Sequence, residues 1–486
     1  MTAGSQAGGR LASGNQQLDA ILGGGFPAHA INLVVGPPGS GKTILAQQYV
    51  FHNATPERPA VYLTTVSEPL EKVLRYGQTM AFFDPAAVGR AVFYEDVGEL
   101  LGTQGLSGVL ERTNALVKEH RPGMLVIDSF KALSFYAADQ GEFRRFLHSL
   151  SGRLSAFPVT SLWLGEYDRA ELTTAPEFAV ADAIVSLSSD QASQRELRVL
   201  QVLKLRGSGF LSGEHAYRLS AAGIDVFPRL ADPVDPAAYP LPNERISSGI
   251  PVLDTMLTDG YWPGAATLIA GPSGAGKTLM GLHFVVSGAR RGEPGIIATL
   301  QENPTQLQRV AQGFGWSLAE DGIELLYRSP VDLYIDQWVH ELLAAIERTG
   351  ARRVLIDSLG DLAFAAGDEA RYREYLYSLV QRCSRLGVSL LMTYELLELF
   401  QLVRLSEVGI SHVSDNVVVL QYLRHQSEVR RTLTVLKTRA SLHQPQVREF
   451  TITPEGITLE NELPTDPEPS AQPSPTEATA VERSTN

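Results

Sequence analysis

The chain has 486 residues, of which 44% are apolar and 20% charged, with a net charge of −13 and a single cysteine. These values fit a soluble globular protein of two or three α/β units and exclude an internal disulfide, a disulfide scaffold and a cysteine-based metal centre. The acidic balance disfavours nonspecific attraction to nucleic acid or anionic membrane, and no apolar run approaches the ~20 residues needed to cross a bilayer.

Residues 1–9 are small and polar without an apolar core, so we expect no secretion signal and a cytoplasmic location. From Arg10 onward the chain repeats itself. Residues 10–43 align without a gap on residues 245–278: Ser13-Gly14, Leu18-Asp19, Leu22, Gly25 and Leu33 return as Ser248-Gly249, Leu253-Asp254, Leu257, Gly260 and Leu268. A repeat this long denotes duplicated domains, expected over 10–226 and 245–460. Between them, 227–244 contains Pro228, Pro233, Pro236, Pro240 and Pro242 and reads as a semi-rigid linker. The acidic Pro/Ser/Thr-rich stretch 461–486 has almost nothing to bury and is expected to be disordered.

Each half opens with a short apolar strand, 31–35 or 266–270, running into a glycine-rich loop. The loops are Gly36-Pro37-Pro38-Gly39-Ser40-Gly41-Lys42-Thr43 and Gly271-Pro272-Ser273-Gly274-Ala275-Gly276-Lys277-Thr278. Both satisfy G-x-x-x-x-G-K-[ST], in which backbone amides cradle phosphates, the lysine reaches the β/γ oxygens and the hydroxyl binds Mg²⁺. Helices are expected to open at Thr43 and Thr278, with their N-terminal amides and dipole facing the phosphates. The implied ligands are ATP and Mg²⁺.

Further strands are expected at 60–65 and 295–300. The alternation of β and α elements predicts two tandem P-loop domains, each a mostly parallel sheet flanked by helices. After the second strand of each half come Thr64-Thr65-Val66-Ser67-Glu68-Pro69 and Thr299-Leu300-Gln301-Glu302-Asn303-Pro304. Water attacking a γ-phosphate needs a group to position it, which makes Glu302 the better candidate and Glu68 the weaker one. The alternative role for either is a helix-start carboxylate. The strands 124–128 and 354–357 end in Asp128 and Asp357, the expected water-mediated anchors for Mg²⁺. Glu166 and Glu395 follow the next strands as possible nucleotide sensors, whereas Trp163, Tyr167 and Cys383 read as core. Near the end of each half, Lys204 with Arg206 and Lys437 with Arg439 place two cations on one strand face. Solvated charges on an edge strand are the alternative, but their recurrence in both halves points to cations serving a neighbouring subunit's γ-phosphate.

With these residues in place, the chain resembles the KaiC-like ATPases of the RecA superfamily from residue 10 to 459. The resemblance rests on both phosphate loops and on Lys204-Leu205-Arg206-Gly207, Ile410-Ser411-His412-Val413-Ser414, Leu420-Gln421-Tyr422 and Val447-Arg448-Glu449-Phe450. It implies two RecA-like lobes, a homohexameric double ring, ATP at subunit interfaces, Lys/Arg pairs acting in trans and an unidentified signalling partner. The family's circadian members carry paired glutamates after the second strand. Here those slots hold Val66 and Ser67 in one lobe and Gln301 and Glu302 in the other, and Gln301 cannot take up a proton. The family's adjacent Ser-Thr phosphoacceptors are replaced by Ser414 followed directly by Asp415. The reading that follows is a slow ATPase serving as a nucleotide-controlled switch or scaffold. Two alternatives stay open: a serine/threonine autokinase using Ser411 or Ser414, and a RecA-type DNA-binding ATPase using Lys131, Arg144 and Arg145.

Overall fold

A run of buried, mostly apolar residues, five in the first half and six in the second, forms the strand at the centre of each sheet. These are β1 (Ile31–Val35) and its counterpart β10 (Ala266–Gly271). In the computed structural model, residues 9–65, 70–168, 170–190, 197–230, 239, 243–331, 333–366, 368–396, 413–425, 428–439 and 441–459 are described. The residues 1–8, most of the proline-rich stretch and 460–486 lie outside that set. Two units divide the chain between residues 234 and 235, except that Tyr334–His340 groups with the first.

The first unit continues with β2 (Ala60–Thr64), β3 (Val92–Asp96), β4 (Met124–Asp128), β5 (Thr160–Gly165), β6 (Ala183–Asp190), β7 (Leu197–Leu205), β8 (Glu214–Ser220) and β9 (Gly223–Phe227). They form one nine-stranded sheet in the order β3-β2-β4-β5-β1-β6-β7-β8-β9. The pairs from β3 through β6 are parallel and those from β6 to β9 antiparallel. The second unit comprises β10, β11 (Gly295–Thr299), β12 (Ile323–Tyr327), β13 (Arg353–Asp357), β14 (Ser389–Glu395), β15 (Asn416–His425), β16 (Glu428–Thr438), β17 (Arg448–Thr453) and β18 (Gly456–Leu459). Its order, β12-β11-β13-β14-β10-β15-β16-β17-β18, repeats the first. These are the mostly parallel, helix-flanked sheets expected from the alternating pattern, and the two tandem RecA-like domains that the resemblance implies.

Side chains alternate across each strand and feed a separate core on either face. Leu125 and Ile127 of β4 pack with helices Gly98–His120 and Gln140–Ser155, whereas Met124 and Val126 face helix Lys42–Asn53. Trp163 is fully buried and stacks on Phe130 with centroids 4.0 Å apart, as expected of a core residue. Cys383 is buried in helix Glu369–Arg385, and burial pushes its thiol up to about 12. Because β1 and β10 lie between neighbours reached by crossovers in opposite directions, each sheet opens a crevice beyond their C-terminal ends.

Candidate nucleotide site

Each phosphate loop fills that crevice. The residue before each helix, Gly41 or Gly276, is left-handed at φ 91° or 103°, which turns the chain so that successive amides face one hollow. Gly36 is required for a different reason: a Cβ there would sit 2.2 Å from the Leu187 carbonyl oxygen. The helices begin at Lys42 and Lys277, one residue earlier than the sequence pattern indicated. Lys42 Nζ donates to the carbonyls of Gly36 (3.0 Å) and Pro37 (2.9 Å) and lies 3.7 Å from Glu166. Lys277 Nζ donates to Pro272 O at 2.8 Å. Burial lowers both ammonium pKa values, against the opposing pull of Glu166 and Asp128 in one unit and Glu395 and Asp357 in the other. A partly desolvated cation without a committed bidentate carboxylate is ready to be taken up by phosphate oxygens.

Beside each lysine, the loop hydroxyl meets the strand-end carboxylate. Thr43 Oγ1 donates to Asp128 Oδ2 at 2.9 Å, and Thr278 Oγ1 donates to Asp357 Oδ2 at 2.7 Å. Among the described residues no group of three or more His, Cys, Asp or Glu could hold a metal ion by itself. One carboxylate and one hydroxyl beside a phosphate loop fit Mg²⁺, which keeps several waters and takes its remaining ligands from phosphates. The peptide bond following each aspartate, Asp128–Ser129 and Asp357–Ser358, is cis. Further donors orient the carboxylates, and no motif along the chain marks them. Tyr62 OH donates to Asp128 Oδ2 at 2.9 Å, and Thr393 donates to Asp357 Oδ1. They come from different strands of the sheet, so no local motif records either.

In the first unit the loop opens into a cavity of about 650 Å³. Lys42, Thr43, Asp128 and Glu166 line one side, and Lys72, Tyr76, Thr79 and Met80 the other. The second unit supplies Glu302, whose Oε2 is buried without a hydrogen-bond partner. Burial and the neighbouring Asp357 charge both raise its pKa. A carboxylate shifted in that direction is a better proton acceptor than an ordinary one. Glu68, Val66 and Ser67 lie outside the described residues, as does Ser411. Ser414 is fully buried, and its carbonyl accepts from Lys437 Nζ at 2.7 Å.

The Lys/Arg pairs lie at the other end of their sheets. Lys204 pairs with Ile184 next to Leu33, and Arg206 N–H donates to Asp182 O at 2.9 Å. Asp182 also receives the N–H of Ile31, the residue of β1 farthest from the loop. Lys437 and Arg439 hold the same places, level with Val417 and Asp415. Both strands carry a bulge immediately before the lysine. At ~3.3 Å per residue, each lysine stands about 10 Å, and each arginine about 15 Å, from its own phosphate loop along the central strand. Lys204 Nζ instead donates to Phe178 O at 2.9 Å, and Arg206 contacts Asp182 at 3.3 Å. Tyr167 is core, as expected, and donates to Glu177. Lys131 is ion-paired to Glu171 at 2.5 Å, while Arg144 and Arg145 are exposed. No described helix is long and apolar enough to cross a membrane.

The sequence matches the family described as "ATPase: KaiC" twice, over residues 11–231 and 246–463. Among curated proteins it is similar to the circadian clock oscillator protein KaiC of Prochlorococcus marinus strain SARG, 29% identical over 92% of this chain and 91% of the relative. The KaiC of a Picosynechococcus species is 28% identical over 91% and 88%, and KaiC 1 of a Synechocystis species is 28% identical over 90% and 86%.

Proposed function

Since the chain belongs to the KaiC family of ATPases, we propose that it is a slow, magnesium-dependent ATPase that works as a nucleotide-controlled signalling switch or scaffold. The observation that carries this reading is the doubled contact between loop hydroxyl and strand-end carboxylate, at 2.9 and 2.7 Å, beside a buried lysine in each unit. Lys42 and Lys277 bind the β/γ oxygens, and the loop amides hold the remaining phosphate charge. Thr43 with Asp128, and Thr278 with Asp357, would hold Mg²⁺, which neutralises charge developing on the transferred phosphoryl group.

In the second lobe Glu302 orients the attacking water and receives its proton, a role its raised pKa supports. The slot equivalent to Glu302 in the first lobe is Ser67, so the two lobes turn over at different rates. Lys204 with Arg206 and Lys437 with Arg439 stand about 10–15 Å along the strands from the phosphate loops of their own lobes. Their distance supports a role at a neighbouring subunit's γ-phosphate in a homohexameric ring, acting in the cytoplasm on a signalling partner. The buried position of Ser414 and the glutamine at position 301 count against autophosphorylation. The ion-paired Lys131 weakens the DNA-binding reading.

Incubating the purified protein with γ-labelled ATP and Mg²⁺ tests the proposal. Label released as free phosphate, with none on protein, is the expected result. Label accumulating on Ser411 or Ser414 would replace the switch with an autokinase.

A further inference from the structure

A second cavity, of about 430 Å³, opens at the end of the first sheet opposite the phosphate loop. Arg10, His29, Arg58 and Arg121 line it, and none of its lining residues is acidic. It lies among the N-terminal ends of β1, β4 and β5, on the order of 15 Å from the loop along the strands.

The duplication provides an internal control for this cavity. His29 N–H donates to Thr160 Oγ1 at 2.9 Å, and its counterpart Gly264 N–H donates to Ser389 Oγ at 2.9 Å. Gly123 N–H reaches Pro59 O at 2.9 Å, and Arg352 N–H reaches Pro294 O at 2.9 Å. Within this matched frame, Arg121 corresponds to Gly350, each following a long helix, and Arg58 corresponds to Glu293. Both turns are left-handed in both units: φ is 54° at His29 and 45° at Arg121, against 78° at Gly264 and 66° at Gly350. Glycine adopts that conformation freely, whereas a side chain makes it costly. Among the described residues only four non-glycines have positive φ, and two of them line this one cavity.

The third exchange also adds positive charge. Glu293 is occupied by the buried Arg353 at 2.5 Å, and the first unit has Met124 in place of that arginine. Arg10 is aimed by the Gly25 carbonyl at 3.1 Å and by Ser208. The first unit thus tolerates two strained turns and places His29, Arg121 and Arg58 where the second has glycine, glycine and glutamate. Strain that an alternative residue would relieve, concentrated around one cavity, marks a binding function.

We propose that this cavity binds a small phosphate-bearing anion, separately from the two ATP loops. Guanidinium forks match phosphate oxygens in geometry and charge, and a multiply charged group can satisfy several of them together. The source of the phosphate, inorganic or a phosphate ester, is separated by the choice of titrant.

The test is calorimetric titration of the full chain, without magnesium, using inorganic phosphate, pyrophosphate and glucose 6-phosphate in turn. The wild type should bind one more anion per chain than the Arg58→Ala/Arg121→Gly double variant, with ATP hydrolysis in magnesium unchanged between them. Arg121→Gly alone should weaken this extra event by ~10-fold, the loss expected for one charge-assisted hydrogen bond. It should also raise the thermal unfolding midpoint of the anion-free protein, because it relieves the strained turn. Equal stoichiometry and affinity in wild type and double variant would overturn the site. So would a wild type that binds none of the three anions beyond its phosphate loops.

Discussion

In the first lobe, Asp128 receives both Thr43 and Tyr62 on one carboxylate oxygen. In the second, Asp357 receives Thr278 on one oxygen and Thr393 on the other. The same contrast recurs behind the loop. Gln48 bridges two backbone groups, donating to Gly14 O at 2.8 Å and accepting from Ile224 N–H at 2.9 Å. Its counterpart His283 accepts from Ile457 N–H at 2.9 Å and hydrogen-bonds the Gly249 backbone. Sheet order, loop and strand-end aspartate are therefore held constant while the residues that support them are exchanged. Duplication kept the phosphate-binding frame and left the surrounding chemistry free to diverge. Glu302, His283 and the Arg-lined cavity are the points at which the lobes can be made to behave differently.

The largest difference should come from Glu302. Glu302→Gln keeps the shape but removes the proton acceptor, and should slow second-lobe hydrolysis by ~10²–10⁴-fold with little change in ATP affinity. Single-turnover kinetics in a Lys42→Ala background isolate that lobe. A parallel loss of affinity would mean that Glu302 binds nucleotide and does not activate water.

A smaller effect separates the lobes by pH. Burial lowers the His283 pKa from 6.5 to about 4. Between those values the unfolded chain takes up a proton that the folded chain refuses, so stability rises with pH across the window. His283 thus contributes fully above pH 6.5, and that contribution is lost as pH falls toward 4. The loss should be on the order of 3 kcal/mol for the second lobe, from about 2.5 pH units at 1.36 kcal/mol each. Denaturant unfolding at pH 7 and pH 4.5 measures it. His283→Gln, which installs the first lobe's residue, should flatten the dependence, because glutamine does not titrate.

The parts of this arrangement that the sequence revealed are those encoded by neighbours along the chain. The phosphate loops, the strand-end aspartates and the alternation of strand and helix each depend on residues within one short segment. Glu302 could be singled out because it lies three residues past a strand whose repeat could be aligned. Tyr62 and Thr393 were not, since each meets its aspartate only when separate strands pair. The exchange of Gln48 for His283 was hidden for a different reason: two unlike side chains perform one bridging task. The Lys/Arg pairs were found by recurrence, but only the strand register places them at the far end of the sheet. The strained turns at His29 and Arg121 become meaningful only beside Gly264 and Gly350.

The most direct test of two intact but unequal ATP sites is to compare Lys42→Ala and Lys277→Ala side by side. Equilibrium dialysis with Mg-ATP should find two nucleotides per wild-type chain and one in each variant, with Lys277→Ala losing the larger share of steady-state turnover. Two nucleotides still bound in either variant, or equal loss of turnover in both, would contradict the account.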